Sequence, residues 1–280
     1  MDIVKKVFRS FVTADASKDM KFPADVKFTT DCSTCDDNCS IHNQIPEYLA
    51  KKIDMNDPLV GTMKPYRQHV LVRLGSGKTW SEKLEETQSS FIASLKKSID
   101  ESQKDKQFRT VLSAFEDVSA SQEGVSEITQ SAQVVLFPQQ TSFNVALDGI
   151  GAFVDEHLAK PGLAGGSNAT AWPYRITVFV CTHKKRDKRC GVAGPLILDE
   201  FIKVRKELQI EKHLGIFGIS HIGGHKYAGN IILYRKDAEG RIHGDWFGRV
   251  KPCNVKHILE NALKGEIVQD LWRGRMDMDW

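Results

Sequence analysis

The chain has 280 residues, of which 41% are hydrophobic and 27% charged, and these values are typical of one large or two ordinary globular domains. A formal net charge of +3 is too small to indicate nucleic-acid binding, and no run of apolar residues is long enough to predict a membrane span. The N-terminal segment has no apolar core of the length expected for a secretory signal, and Asp2, Asp15 and Asp19 argue against mitochondrial import. We therefore expect a cytosolic protein whose six cysteines are metal ligands or redox groups rather than structural disulfides.

The first cysteine group, CSTCDDNCSIH (32–42), has the spacing Cys32-x2-Cys35-x3-Cys39-x2-His42. A Cys-x2-Cys pair is typical of a zinc site or of a redox dithiol. No second ligand pair of conventional spacing accompanies it, so surface thiols are the alternative that we favour for this segment.

The remainder of the N-terminal region predicts α/β structure. QHVLVRL (68–74) and QVVLFP (133–138) have the composition of strands, whereas 80–100, 104–118 and 146–160 have helical patterns. The glycine-rich stretch 158–170 predicts a linker. We therefore predict an N-terminal α/β domain over 1–160, a degenerate relative of the domain that follows.

GSGKT (75–79) follows a predicted strand and is similar to part of a phosphate-binding loop. That motif requires an earlier glycine at the position that Val72 occupies, and without it the backbone cannot wrap around two phosphates. We interpret the segment as a polar turn.

The C-terminal region, 172–280, predicts a small α/β domain with the order strand, helix, three strands and helix. The strands are RITVFV (175–180), LGIFGIS (214–220), NIILYR (230–235) and HGDWFGRV (243–250). Gly194-Pro195 predicts the start of the first helix, around 196–208, and Pro252 the start of the second. This order is compatible with a thioredoxin-like layout.

Four residues of this region form the strongest candidate site. Cys181 and Cys190 bracket the basic segment CTHKKRDKRC, and His221 and His225 lie in SHIGGHKYAGN. Each pair follows a predicted strand, and adjacent strand ends of an α/β sheet converge. Two thiolates and two imidazoles suit either a tetrahedral Zn²⁺ or a [2Fe–2S] cluster.

The segments CTHKKRDKRCGVAGP, SHIGGHKYAGN and WFGRVKPCNVKHILENALKGE resemble the sucrase/ferredoxin-like family of fungal actin patches distal proteins. The C-terminal region is also similar to thioredoxin-like [2Fe–2S] ferredoxins, in which a second cysteine pair stands where this chain has His221 and His225. The resemblance implies a [2Fe–2S] cluster with Cys181 and Cys190 on one iron and the two histidines on the other. It also implies a role in redox homeostasis or oxidative-stress tolerance.

The mixed ligand set predicts a higher and pH-dependent reduction potential. Two thiolates and two neutral imidazoles leave the oxidised centre neutral, which favours adding an electron compared with an all-thiolate dianion. Rieske centres, which share this ligand set, lie at about −150 to +300 mV, against about −400 mV for plant-type ferredoxins. An imidazole whose second nitrogen reaches water takes up a proton on reduction, so the potential falls as the pH rises through the histidine pKa.

Two features next to the ligands have their own interpretations. His183 is a rival ligand two residues after Cys181, to which we assign a supporting or surface role. The basic residues of 184–189 predict a solvated loop that steers an acidic redox partner, in preference to a nucleic-acid contact.

The chain ends in Met278-Asp279-Trp280. This tripeptide is similar to the aliphatic–acidic–aromatic C-terminus by which the cytosolic iron–sulfur assembly machinery recognises its clients. It implies that machinery as a partner.

These observations predict a cytosolic [2Fe–2S] electron-transfer protein. The sequence shows no nucleophile–base pair and no nicotinamide fingerprint, so we expect an electron carrier rather than an enzyme with its own turnover. Two alternatives remain, a zinc-stabilised binding module that uses the same four ligands and a thiol oxidoreductase that uses Cys32 and Cys35.

Overall fold

The structure of the chain is a computed structural model that describes residues 27–29, 42–103, 109–119, 128–159 and 168–276. Within these ranges the chain combines strands with helices, which confirms the predicted α/β class. The helices are α1 (Glu47–Ala50), α2 (Phe91–Ser102), α3 (Ile150–His157), α4 (Lys188–Glu207) and α5 (Val255–Lys264). The strands are β1 (Lys27–Thr29), β2 (Gln68–Arg73), β3 (Thr110–Glu116), β4 (Ser131–Phe137), β5 (Thr141–Ala146), β6 (Thr170–Ala171), β7 (Ile176–Cys181), β8 (Leu214–Ile219), β9 (Ile231–Lys236), β10 (Ile242–Phe247), β11 (Glu266–Val268) and β12 (Trp272–Arg275).

Ten of these strands form one mixed sheet in the order β12-β10-β9-β7-β8-β3-β2-β4-β5-β6. We call β2–β5 with α2 and α3 the N-terminal half, and β7–β10 with α4 and α5 the C-terminal half. In each half the first strand pairs in parallel with the second and antiparallel with the third, which pairs antiparallel with the fourth. This is the strand arrangement of a thioredoxin-like fold, and both halves have it. The domain boundaries at 160 and 172 stay a prediction.

The two halves meet where β3 and β8 run antiparallel, and only two residue pairs are in register, Phe115 with Ile219 and Glu116 with Gly218. Ser220 extends the contact, because its backbone N–H donates to the carbonyl of Ala114 at 2.8 Å. The pairing involves the carboxyl ends of both strands. The loop that follows β2 in the N-terminal half and the loop that follows β7 in the C-terminal half therefore lie close together.

Side chains that alternate along the strands point to opposite faces of the sheet, and they divide the core into three clusters. Val70 and Val72 of β2 pack with the helices of the N-terminal half, and Val178 and Val180 of β7 pack with those of the C-terminal half. The intervening side chains form a single aromatic-rich cluster that draws on both halves. Its rings are those of Tyr66, Phe115, Phe137, Trp172, Phe179, Phe217, Tyr234 and Trp246. The shared cluster holds the two halves in one sheet through apolar burial.

Three sequence predictions are wrong. The helix predicted over 80–100 begins only at Phe91, because the Ser90 hydroxyl accepts the N–H of Ala93 and caps the helix there. Residues 110–116, predicted as part of a helix, form strand β3, because β2 and β8 flank the segment and tertiary pairing overrides a helical spacing of apolar residues. Helix α4 begins at Lys188 rather than near Leu196, because the Asp187 carboxylate accepts a hydrogen bond from the N–H of Arg189 and caps the helix. Pro195 consequently lies inside the helix instead of opening it.

Among the helices described here, none combines the length and the apolar character needed to cross a membrane.

Candidate metal centre

The two cysteines of the site are positioned by a strand and by the helix that follows it. Cys181 is the last residue of β7, and its backbone N–H donates to the carbonyl of Asn230 at 3.0 Å. Cys190 lies in the first turn of α4, where the helix dipole favours a thiolate. Each residue is only 1% exposed. The early start of α4 thus brings Cys190 back to the end of β7.

His221 completes a group of three metal-ligating side chains. The ligand atoms of Cys181, Cys190 and His221 all lie within 4.8 Å of one another, and Cys181 Sγ is 3.9 Å from His221 Nδ1. His225 lies outside this group, but its ring stacks on that of His221 with the centroids 5.5 Å apart and 28° between the planes. Three of the four predicted ligands therefore converge, and the fourth lies beside them.

The pKa values of the two thiols are shifted in opposite directions. The hydrogen bond with the Cys190 thiol lowers the pKa of Cys181 well below its ordinary value, and His221 and the backbone N–H of Ile222 act in the same direction. The same thiol–thiol hydrogen bond raises the pKa of Cys190 well above its ordinary value. Cys181 is thus the first to become a thiolate, the form that binds a metal.

The side chain of His183 holds the backbone of His221 through a hydrogen bond. Its Nδ1 accepts a hydrogen bond from the backbone N–H of His221 at 3.3 Å, and its Nε2 lies 2.8 Å from the carbonyl oxygen of Ser81. The ring is 2% exposed and packs edge-on against Trp80, and burial lowers the pKa of His183. A neutral imidazole that donates from Nε2 satisfies both contacts. Both ring nitrogens are occupied, so the arrangement agrees with the predicted supporting role.

Arg273 is a residue of the site that sequence reasoning missed. It lies on β12, a strand that was not predicted, and is 2% exposed. Its guanidinium donates to neutral oxygens, namely Thr62 Oγ1 and O, Asn230 Oδ1 and the carbonyl of Gly223. Within the described ranges no carboxylate forms an ion pair with it, and although burial lowers its pKa to about 10 it remains charged at neutral pH. The buried cation contacts the loop between His221 and His225, which we call the histidine loop, and its charge favours negative charge at the site.

The close approach of Arg273 explains one glycine of SHIGGHKYAGN. Gly224 has a φ of +68°, and a Cβ added there would lie 2.3 Å from Arg273 Nη2. Any side chain would thus be strained and would collide with the guanidinium. The only signal in the sequence for this contact is the pair of glycines.

The loop GSGKT of the N-terminal half packs against the loop that follows Cys181. The N–H of Gly77 donates to Glu116 Oε2 at 2.8 Å, and the hydroxyl of Thr182, the neighbour of Cys181, donates to Glu116 Oε1 at 3.0 Å. A Cβ at Gly77 would lie 2.7 Å from the Glu116 carboxylate, so the glycine permits the contact. Residues 77–79 form a turn, which confirms the interpretation as a polar turn.

Most charges of the basic segment have local partners. Arg189 pairs with Asp187 at 2.9 Å, Arg186 with Glu82 at 3.7 Å, and Lys185 donates to the carbonyl of Thr79 at 3.0 Å. Lys184 and Lys188 are exposed. Lys188 and Arg189 belong to α4 rather than to the loop that was predicted for them.

Other predicted residues lie outside the described ranges. These are Cys32, Cys35 and Cys39 of the first cysteine group and the C-terminal Met278-Asp279-Trp280. His42, the last residue of that group, is described, and its Nε2 lies 3.6 Å from Glu200 Oε1 on α4.

The donor set fits a [2Fe–2S] cluster. Two thiols and one imidazole converge, a second imidazole stacks on the first, and a buried cation lies beneath the loop that carries the imidazoles. Thiolates and imidazoles are the ligands found at Rieske-type centres. The same donors also fit a zinc ion.

The sequence profile of the sucrase/ferredoxin-like family matches residues 59–274, more than half of the chain. Proteins called altered inheritance of mitochondria protein 32 match over most of their length in two yeasts. The Debaryomyces hansenii protein is 27% identical over 85% of this chain and 92% of its own, and the Meyerozyma guilliermondii protein is 28% identical over 89% and 92%. The Candida glabrata protein is 42% identical over 36% of this chain, and the alignment covers only 33% of that relative's length.

Solved structures of two variants of the thioredoxin-like [2Fe-2S] ferredoxin from Aquifex aeolicus also match. Each is 23% identical, covers 35% of this chain and 98% of its own, and has a TM-score of 0.29.

Proposed function

The chain belongs to the sucrase/ferredoxin-like family, and from this premise we propose that it is a [2Fe–2S] electron-transfer protein with Cys181, Cys190, His221 and His225 as ligands. The observation that carries the proposal is the convergence of the two buried thiols and His221 within 4.8 Å, at the ends of β7 and β8. A bound cluster of this type accepts and releases one electron at a time.

The residues around the ligands support this assignment. The hydrogen bonds that lower the pKa of Cys181 favour the thiolate that iron requires. His183 holds the backbone of His221 in place, in the manner of the hydrogen bonds that orient metal ligands in other proteins. Arg273 supplies a buried positive charge that favours the reduced and more negative state.

His221 is half-buried and His225 is exposed, so an imidazole nitrogen of this pair is open to water. We infer that a proton is taken up at such a nitrogen when an electron is added, which makes the reduction potential depend on pH.

The partners belong to the same proposal. Lys184 and Lys188 are exposed beside the site and would attract an acidic redox protein, although the local ion pairs of Arg186 and Arg189 limit this steering. The C-terminal tripeptide would recruit the cytosolic iron–sulfur assembly machinery. A cytosolic location and a role in redox homeostasis or oxidative-stress tolerance rest on the sequence and on the resemblance.

The test is the visible absorption spectrum of anaerobically purified protein, together with iron and acid-labile sulfide analysis. We expect a coloured protein with about two iron and two sulfide per chain. A colourless protein that contains one zinc per chain would overturn the proposal in favour of a zinc-stabilised binding module.

A further inference from the structure

A cavity of about 500 Å³ opens beside the candidate metal centre, in the cleft between the two halves. Its walls come from α2 and the start of β3 in the N-terminal half, and from Ser220 and His221 after β8 in the C-terminal half. This volume lies within the range of small-molecule sites, about 300–1,000 Å³. A ligand in this cavity would contact the residue that we assign to the metal.

The apolar part of the cavity consists of aliphatic side chains, namely Leu84, Ile92, Ile99 and Leu112. Leu84, Ile92 and Ile99 belong to the core of the N-terminal half, and Leu112 packs against that core. An apolar body of a ligand would be buried here with a gain in free energy that scales with its area.

The charges of the rim balance one another. Three acidic and three basic side chains line the cavity, and among them Lys96 forms an ion pair with Asp100 and Arg186 one with Glu82. The rim therefore favours neither an anionic nor a cationic ligand. An uncharged molecule fits it best.

The polar end of the cavity offers a hydrogen-bond donor. Ser220 is 6% exposed, and its Oγ accepts the N–H of Ala114 at 3.0 Å. Among the hydrogen bonds of the described residues, none is donated by the Ser220 hydroxyl, so its proton is available to a ligand. A ligand with a carbonyl oxygen would accept this proton next to His221.

We propose that this cavity binds a quinone, an uncharged ring with carbonyl oxygens, as a small-molecule redox partner of the protein. This inference rests on the proposed electron-transfer function. Each reduced protein molecule gives up one electron. Two of them in succession, with two protons from solvent, convert one quinone to the hydroquinone and leave both protein molecules oxidised.

Duroquinone is a suitable probe because its fully methylated ring has no free position at which a cysteine thiol could add. Its binding to the metal-free full-length protein is measured by calorimetry, and the oxidation of dithionite-reduced, cluster-containing protein by stopped-flow absorbance. Leu112→Trp fills the cavity, and Thr110→Trp does so from the rim if the first variant does not fold. Leu263→Trp is the matched control, because Leu263 is exposed and does not line this cavity.

We expect the cavity variants to weaken duroquinone binding and to slow the oxidation by at least about tenfold, and Leu263→Trp to change neither. No binding to the wild-type protein, or equal binding to wild type and Leu112→Trp, would overturn the inference. A protein without iron would instead defeat the proposed function, and calorimetry on the metal-free chain would still decide whether the cavity binds a quinone.

Discussion

The two halves of the sheet have the same strand arrangement but different residues where their central strands end. In the C-terminal half, β7 ends at Cys181 and β8 is followed by His221, which together form most of the candidate metal centre. In the N-terminal half, β2 ends at Arg73 and β3 ends at Glu116. Neither position offers a thiol or an imidazole. The comparison indicates that one half carries the candidate ligands, while the ends of the other half's strands contact the segments that hold them.

This support consists of specific contacts between the loops of the two halves. Glu116 joins Gly77 to Thr182, and Ser81 accepts a hydrogen bond from His183, which in turn holds His221. The N-terminal half therefore contacts the cysteine segment through the side chains of Thr182 and His183, and His183 carries the contact on to the backbone of His221. The difference between the halves can be tested by removing a candidate ligand from the C-terminal half or a supporting contact from the N-terminal half.

The largest effect is expected from Cys181→Ser. The substitution removes a buried thiol of the converging group, so the protein should lose its iron and its visible absorption. Cys253→Ser is the matched control, since Cys253 is a half-buried cysteine that the metal-ligating group does not include. Retention of full iron content by Cys181→Ser, measured by metal analysis, would contradict the assignment of this residue.

A smaller loss of iron is expected from His183→Leu. The apolar side chain leaves the N–H of His221 without its acceptor, and the loss of such ligand-orienting hydrogen bonds typically weakens metal affinity by about 10- to 100-fold. Chelator competition measures the effect. The exposed His213→Leu is the control, and an iron affinity equal in the two variants would argue against a supporting role for His183.

Glu116→Gln tests the contact between the halves. One oxygen of the buried carboxylate becomes an amide N–H₂, which accepts no hydrogen bond, so either the N–H of Gly77 or the hydroxyl of Thr182 loses its acceptor. The free energy of unfolding should therefore fall by about 1–3 kcal/mol. Urea denaturation of the metal-free protein measures the change. The exposed Glu211→Gln should leave stability unaltered, and an equally stable Glu116→Gln would show that the halves do not depend on this contact.

The mildest perturbation is a change of pH. The added electron raises the proton affinity of the histidine pair, so the reduction potential should fall with rising pH by up to about 59 mV per unit, between the histidine pKa values of the oxidised and reduced protein. Buried His69 does not contribute, because burial lowers its pKa to about 3. Protein-film voltammetry gives the slope, and a flat profile from pH 5 to 10 would reject proton coupling.

Much of this arrangement could be predicted from the sequence. Two kinds of local pattern were sufficient. One is the β-branched composition of β2 and β7, and the other is the spacing of Cys181, Cys190, His221 and His225. Other features depend on distant parts of the chain. The helical spacing of 110–116 gave way to pairing with β2 and β8, and the guanidinium of Arg273 reaches the histidine loop from a strand that no local pattern indicated. Local patterns thus indicated the candidate ligands and their neighbour His183, but not the buried Arg273.

The most direct test of the central claim is electron paramagnetic resonance of the reduced protein with resolution of nitrogen hyperfine couplings. Cysteine and histidine ligation of a [2Fe–2S] cluster predicts a signal from the reduced centre with couplings to the nitrogens of two imidazoles, and the loss of one coupling in His225→Cys. A signal without nitrogen couplings, or no signal from a protein that contains zinc, would contradict the account.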